Sequence, residues 1–271
     1  MRSIRLASAS LIGFFSFLSL APVLAQVDET AATRYRLKKD SSYQEGCFDP
    51  CMCPIRLYEP LEGRFVLEPA GSDWLFRSFD VRNVEWRAGQ GLGALHIRGS
   101  GTYRFGGEFA AQHQMTLDLQ VGDGPLEHFD SGLVLGGTSF PRIDIQLSLH
   151  GVFCYDKVLD LHARPAPDVT VDREALSWLP VVDAVGFDVV VGDLGALHAS
   201  GGDFSAAATQ CVGNDFESTT TSFTDVPAPG EAFWFVVRYC DDRGAESYDS
   251  DMSSQSSSRD PGINTSVGAC P

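Results

Sequence analysis

The sequence predicts an all-β protein made of two antiparallel β-sandwich domains behind a cleaved signal peptide. Three observations point there. The first segment has a basic start followed by one apolar run, the pattern of a secretory leader. Apolar residues after it recur at every second position, between turns rich in Gly and Pro. No stretch beyond a turn or two keeps a helical period.

The leader covers residues 1–25. Arg2 and Arg5 precede the apolar run Leu11–Leu20, and Pro22-Val23-Leu24-Ala25 offers small residues for cleavage before Gln26. The apolar run is shorter than the ~20 residues of a membrane span, and no later run reaches that length, so no transmembrane segment is expected in the mature chain. Losing two arginines takes the formal charge from −16 to −18. A surface this acidic repels phosphate backbones and argues against nucleic acid as a partner. The same charge attracts cations, Ca²⁺ among them, although solubility is its plainer meaning.

Domain one spans residues 32–163 and reads as strands almost throughout, a β-sandwich or small barrel. Gly63–Glu68 alternates. Leu75–Trp86 slips its period once, which predicts a bulge or bend. Leu95–Arg98 leads through Gly99-Ser100-Gly101 into Thr102–Phe105. Met115–Val121 keeps strict alternation and ends in Gly122-Asp123-Gly124-Pro125, a strong hairpin signal. Ile143–Leu149 repeats the alternation, His150-Gly151 turns, and Val158–Leu161 closes the domain. Residues 164–167 form a Pro-containing linker in which Pro165 and Pro167 oppose regular pairing.

Domain two spans residues 168–248 and precedes a tail, 249–271, whose stretch Asp249–Ser258 is mostly serine. Its order is Leu176-Ser177-Trp178-Leu179-Pro180, then Gly186–Val191, then Phe233–Tyr239, then Gly244-Ala245-Glu246-Ser247. This succession resembles a fibronectin type III module of exported bacterial proteins. The resemblance implies a core Trp178 on the second strand and Phe187, Val189 and Val191 facing inward on the third. It places Phe233, Phe235, Val237 and Tyr239 on one face of the sixth strand, with Trp234, Val236 and Arg238 on the other. Phe233 stands where the tyrosine-corner hydroxyl belongs, so that hydrogen bond is lost. An insertion, Leu194–Asn214, exceeds the plain module, and Asp193 can N-cap a helical turn at its start. In domain one, Glu45–Pro54, His128–Gly132 and Phe140–Ile145 resemble segments of an uncharacterised exported β-rich bacterial family, which implies no activity.

All seven cysteines follow the leader. Export favours two disulfides among Cys47, Cys51, Cys53 and Cys154 over a zinc site, whose paired Cys-x-x-Cys knuckles are missing. The pairing among the four stays open. In domain two Cys211 and Cys240 are expected to staple the insertion, leaving Cys270; Cys240–Cys270 and Cys211–Cys270 also satisfy an exported domain.

Function is read as non-catalytic: a structural, adhesive or binding protein for an unknown protein or glycan, with no cofactor. Fingerprints for a nucleophile elbow, a zincin helix or a P-loop are missing. Trp234 and Arg238 form the expected contact patch, outward on one strand; Trp74 and Trp86 are the other aromatic surfaces suited to a sugar ring. The alternatives are a metal-binding protein and a hydrolase-like enzyme in domain one that uses His128 with Asp130 on one strand face. His113 falls on the apolar face with Leu117 and Leu119 and reads as a core histidine.

Overall fold

Period-2 alternation requires a second layer, or closure, to bury each apolar face, and the chain uses both solutions. The structure, a computed structural model, describes residues 32–271 apart from Met52, so the leader lies outside the described residues. It is mostly β, with antiparallel sheets and three short α-helices.

The first unit holds β1 (Thr33–Leu37), β2 (Ser42–Cys47), β3 (Arg56–Ser72), β4 (Phe76–Ala88) and β5 (Leu95–Gly106), followed by β6 (Gln112–Val121), β7 (Leu126–Asp130), β8 (Val134–Leu135), β9 (Ile143–Ser148) and β10 (Tyr155–Pro165). Neighbouring strands pair in succession from β2 to β7. Then β7 meets β9 at Asp130↔Ser148, β9 pairs with β10, and β10 pairs with β2. The ring is thereby closed, a barrel rather than a sandwich. β1 and β2 lie end to end between β10 and β3, each covering part of both neighbours. Closure removes free edges, and the interior is filled by Tyr35, Phe65, Trp86, Tyr103, Leu117 and Phe129 among others. Trp86 is therefore core, while Trp74 stands 82% exposed on the β3–β4 turn.

The predicted bulge lies between Val81 and Val84, with Asn83 in the left-handed region. Gly99 and Gly101 sit within the single long strand β5. A Cβ there would come within 2.0 and 1.9 Å of the Asp118 and Thr116 carbonyl oxygens, so both positions need glycine. Pro165 pairs with Tyr35 at the end of β10, so Arg164 and Pro165 belong to the strand and not to the linker. A strand end tolerates the missing N–H, and Ala166 N continues the ladder to Arg34 O at 2.8 Å.

The second unit has a three-stranded sheet, β11 (Val169–Val171), β12 (Ala175–Trp178) and β15 (Thr220–Ser222), in the order β11-β12-β15. Facing it is a four-stranded sheet, β14 (Ala208–Gly213), β13 (Gly186–Asp193), β16 (Phe233–Asp241) and β17 (Gly244–Ala245), in the order β14-β13-β16-β17. Leu176, Trp178, Phe187, Val189 and Tyr239 fill the space between them. The insertion starts with α1 (Leu194–Ala199), where the Asp193 carboxylate accepts from Ala196 N at 2.8 Å. α2 (Phe204–Ala207) follows, and α3 (Asp260–Thr265) lies near the C-terminus.

The two units are docked. Asp183 binds Arg77 at 2.7 Å, Glu246 binds Arg142 at 2.9 Å, and Asp168 holds both Arg34 and Arg36. Val182 N donates to Thr33 Oγ1 at 2.8 Å, and its side chain joins the barrel core.

The bridges are Cys47–Cys53, Cys51–Cys154 and Cys211–Cys270, and Cys240 is a buried free thiol. The expected Cys211–Cys240 staple is thus corrected. Cys240 lies at the Gly186 end of β13, whereas Cys211 pairs with Val190, four residues along, too far to bridge. Burial pushes the Cys240 thiol up to about 12. Alkylation of the mature protein without reductant, under denaturing conditions, should therefore label one cysteine, and peptide mapping should place it at Cys240. Label at Cys270 would contradict this pairing.

Candidate functional site

Alternation along β16 sends odd-numbered side chains into the sandwich core and even-numbered ones to the outer face, as expected. That outer face is covered. Trp234, Val236 and Val190 pack with Phe204, Tyr248, Ile263 and Cys270 into a second apolar cluster, held down by the Cys211–Cys270 bridge. Trp234 meets Phe204 edge-on at 5.2 Å and donates from Nε1 to Asp193 O at 3.2 Å. Arg238 is 8% exposed; its Nε donates to Asp188, itself 2% exposed, at 2.7 Å, and its guanidinium lies 4.4 Å over the Tyr248 ring. The outward contact patch of Trp234 and Arg238 is therefore corrected to an internal one. The sequence did carry a signal: Phe233–Val237 and Val189–Val191 are unbroken apolar runs, typical of strands buried on both faces.

The C-terminal segment that covers this face also shapes a cleft of about 460 Å³ at the joint between the units. Its walls are the end of β10 and the turn after it (Arg164–Val169), the β16 edge from Phe235 to Tyr239, and the stretch Glu246–Ser250. Arg36, Arg164, Arg238 and Arg259 line it together with Asp168, Glu246 and Asp249. Three of these guanidiniums are paired: Arg36 with Asp168, Arg164 with Asp251, and Arg238 with Asp188. Arg259 donates from Nη1 to the Tyr248 carbonyl at 3.1 Å and forms no ion pair among the described residues.

Three buried polar atoms of cleft-lining residues lack a hydrogen-bond partner: Arg164 Nε, Tyr239 Oη and Tyr248 Oη. Tyr239 is 4% and Tyr248 3% exposed, and burial raises both phenols well above their ordinary range, so both are protonated donors at neutral pH. Burial also lowers the Arg164 guanidinium from its usual range, with Tyr239, Glu246 and Asp249 opposing that shift. Tyr35 Oη, Trp86 Nε1 and Trp178 Nε1, away from the cleft, are unpaired in the same way, and all six atoms are shielded from solvent.

The sequence-derived catalytic pair does not form. His128 Nδ1 lies 2.7 Å from Asp118 Oδ1, because the β6–β7 register places these residues directly opposite. Asp130 instead accepts from Gln114 Nε2 at 3.0 Å and Gly132 N at 2.8 Å. Both members of the His128–Asp118 pair are largely exposed, and no hydroxyl or thiol hydrogen-bonds to the imidazole among the described residues.

His113 lies in the barrel with Nδ1 3.3 Å from the Tyr103 hydroxyl. Burial lowers its pKa, with Asp144 opposing in smaller measure. The unfolded chain therefore takes up a proton, as pH falls below about 6.5, that the folded chain refuses. His113 thus costs stability as pH drops through that window, and His113→Gln should flatten the pH 5–7 dependence of urea unfolding; an unchanged slope would refute this.

Cys47, Cys51, Cys53 and Cys154 are oxidised in pairs, which withdraws the thiolates a zinc site would need. Asp188, Asp215 and Cys240 bring three ligand atoms within 4.8 Å of one another. Asp188 is already engaged there by Arg238 and by Asp215 N at 2.9 Å, and the Cys240 thiol stays protonated at neutral pH. No family model matches the chain, and no curated protein or solved structure is significantly similar to it. No helix among the described residues is long and apolar enough to cross a membrane.

Proposed function

We propose that this chain is an exported, non-catalytic binding protein that holds a protein or glycan ligand in the cleft at the joint of its two units. The leader pattern of residues 1–25 and three disulfides support export. The sheet orders β11-β12-β15 and β14-β13-β16-β17, with Trp178 between them, support the reading of the second unit as a fibronectin type III-like module. The barrel is its disulfide-stapled platform. The observation that carries the proposal is the cleft itself, walled by both units and the C-terminal segment and lined by Arg259, which forms no ion pair among the described residues.

The test is an array of peptides and oligosaccharides probed with the mature protein and with Arg259→Ala. Loss of one charge-assisted contact should weaken the retained ligand about tenfold or more. Binding indifferent to Arg259→Ala, or turnover of an ester, glycoside or peptide that His128→Ala abolishes, would refute the proposal.

A further inference from the structure

Barrel closure is thinnest beside β9. That strand pairs with β10 from Ile143 to Ser148, but on its far side it meets β7 at Asp130↔Ser148 alone. Leu149 N donates to Lys157 O, so odd-numbered main-chain groups of β9 and β10 face each other. The N–H and C=O of Asp144 and Gln146 therefore point across the seam, where no strand pairs with them among the described residues. The opposite wall is β8, two residues long. It is tied to β6 at Gln112↔Leu135 and His113↔Val134, and Gly136 N extends the ladder to Ala111 O at 3.0 Å. Between the walls runs a groove of about 610 Å³, and His113 lines it. His113 is 3% exposed, and its surroundings offer little to a charge. From β5 it faces the Tyr103 hydroxyl, 3.3 Å from Nδ1 and itself buried. From the other side the Gly136-Gly137 main chain is laid on the ring. A Cβ on Gly136 would stand 2.8 Å from Nε2, and one on Gly137 would stand 3.3 Å from the His113 Cβ. Nε2 forms no hydrogen bond among the described residues. The charge that acts on His113 from β9 is Asp144, already held by His162 of β10 at 2.7 Å. Asp130, at the end of β7, accepts from Gln114 and Gly132, and Val134–Gly137 bears no ionisable group.

We infer that the seam between β8 and β9 opens in acid: protonation of His113 lifts Val134–Gly137 off the imidazole while the rest of the barrel stays folded. An imidazolium has two N–H donors. Nδ1 can reach the Tyr103 oxygen, but Nε2 has no acceptor beneath Gly136, so the charge needs water. The least disruptive way to admit water is through the seam. Lifting β8 breaks a two-residue ladder, whereas β4 and β5 are joined along almost their whole length. Once the stretch has lifted, the imidazole regains its ordinary value of about 6.5. Below that pH the open form takes up a proton that the closed form, with its pKa lowered by burial, refuses. Opening therefore gains up to about tenfold per pH unit until the closed form is protonated as well.

The experiment follows amide hydrogen exchange of the mature protein between neutral pH and about pH 5, corrected for the pH dependence of intrinsic exchange. The reporters are the amides of Gly136, bonded to Ala111 O, and of Val134, which faces β6 by the same alternation. The controls are amides of the β4–β5 ladder. Opening at the reporters should rise several-fold per pH unit below about 6.5 while the controls keep their protection. The His113 ring protons, followed by NMR, should titrate with a midpoint below about 6.5. His113→Gln keeps a donor and an acceptor but takes up no proton, so its reporters should exchange independently of pH. Reporter protection that ignores pH, that falls equally in the controls, or that falls as far in His113→Gln would overturn the inference. If that variant does not fold, the wild-type ring decides: a midpoint at or above about 6.5, out of step with reporter exchange, would overturn it as well.

Discussion

Asp188→Ala should lower the unfolding free energy by about 3–5 kcal/mol, because it leaves the Arg238 guanidinium buried without its counter-charge. Both partners are nearly inaccessible, and Asp188 also accepts from Asp215 N, so the loss reaches a second main-chain contact. The pair ties the four-stranded sheet to the C-terminal segment, since Arg238 Nη1 also donates to Asn264 Oδ1 at 3.2 Å. Removing both charges, as in Asp188→Leu with Arg238→Met, should recover most of the loss, because desolvation is then no longer uncompensated. Urea unfolding of the two variants measures this. A loss below about 1 kcal/mol for Asp188→Ala would place the pair among ordinary surface bridges.

Replacing Cys211 and Cys270 together by serine should cost about 4 kcal/mol, as expected for a bridge between residues 59 apart. The structural consequence is specific. The bridge pins the chain that covers Val190, Trp234 and Ile263, so its loss should free residues 246–271 to protease and speed amide exchange on the outer face of β13. It should also dismantle the cleft, because Tyr248 and Arg259 belong to the same segment. A variant with unchanged proteolysis and stability would show that the apolar cluster alone holds the cover in place.

Local features of the fold were legible in the sequence. The alternation of Met115–Val121, the hairpin at Gly122–Pro125, the slipped period before Trp86 and the Asp193 cap each follow from chemistry within a few residues. Barrel closure was not legible, because it depends on β10 returning to pair with β2 and β9 across long sequence separations. A period of two says which side chains share a face, but not what covers that face. Hence the alternation places Trp234 and Arg238 on the even side of β16 but does not show the C-terminal segment that half-buries the first and buries the second. The cleft was the least legible feature. Arg36, Arg164, Tyr248 and Arg259 come from β1, β10, the stretch after β17 and the tail, and no motif links them.

The most direct test of the central claim is a ¹H–¹⁵N titration of the mature protein with the tightest peptide or glycan recovered from the arrays. The account predicts that the largest shifts fall on Val237, Tyr239, Tyr248 and Arg259, with the barrel resonances around Asp118 and His128 unmoved and the ligand chemically unchanged. Shifts centred on His128 and Asp118, with conversion of the ligand, would contradict it.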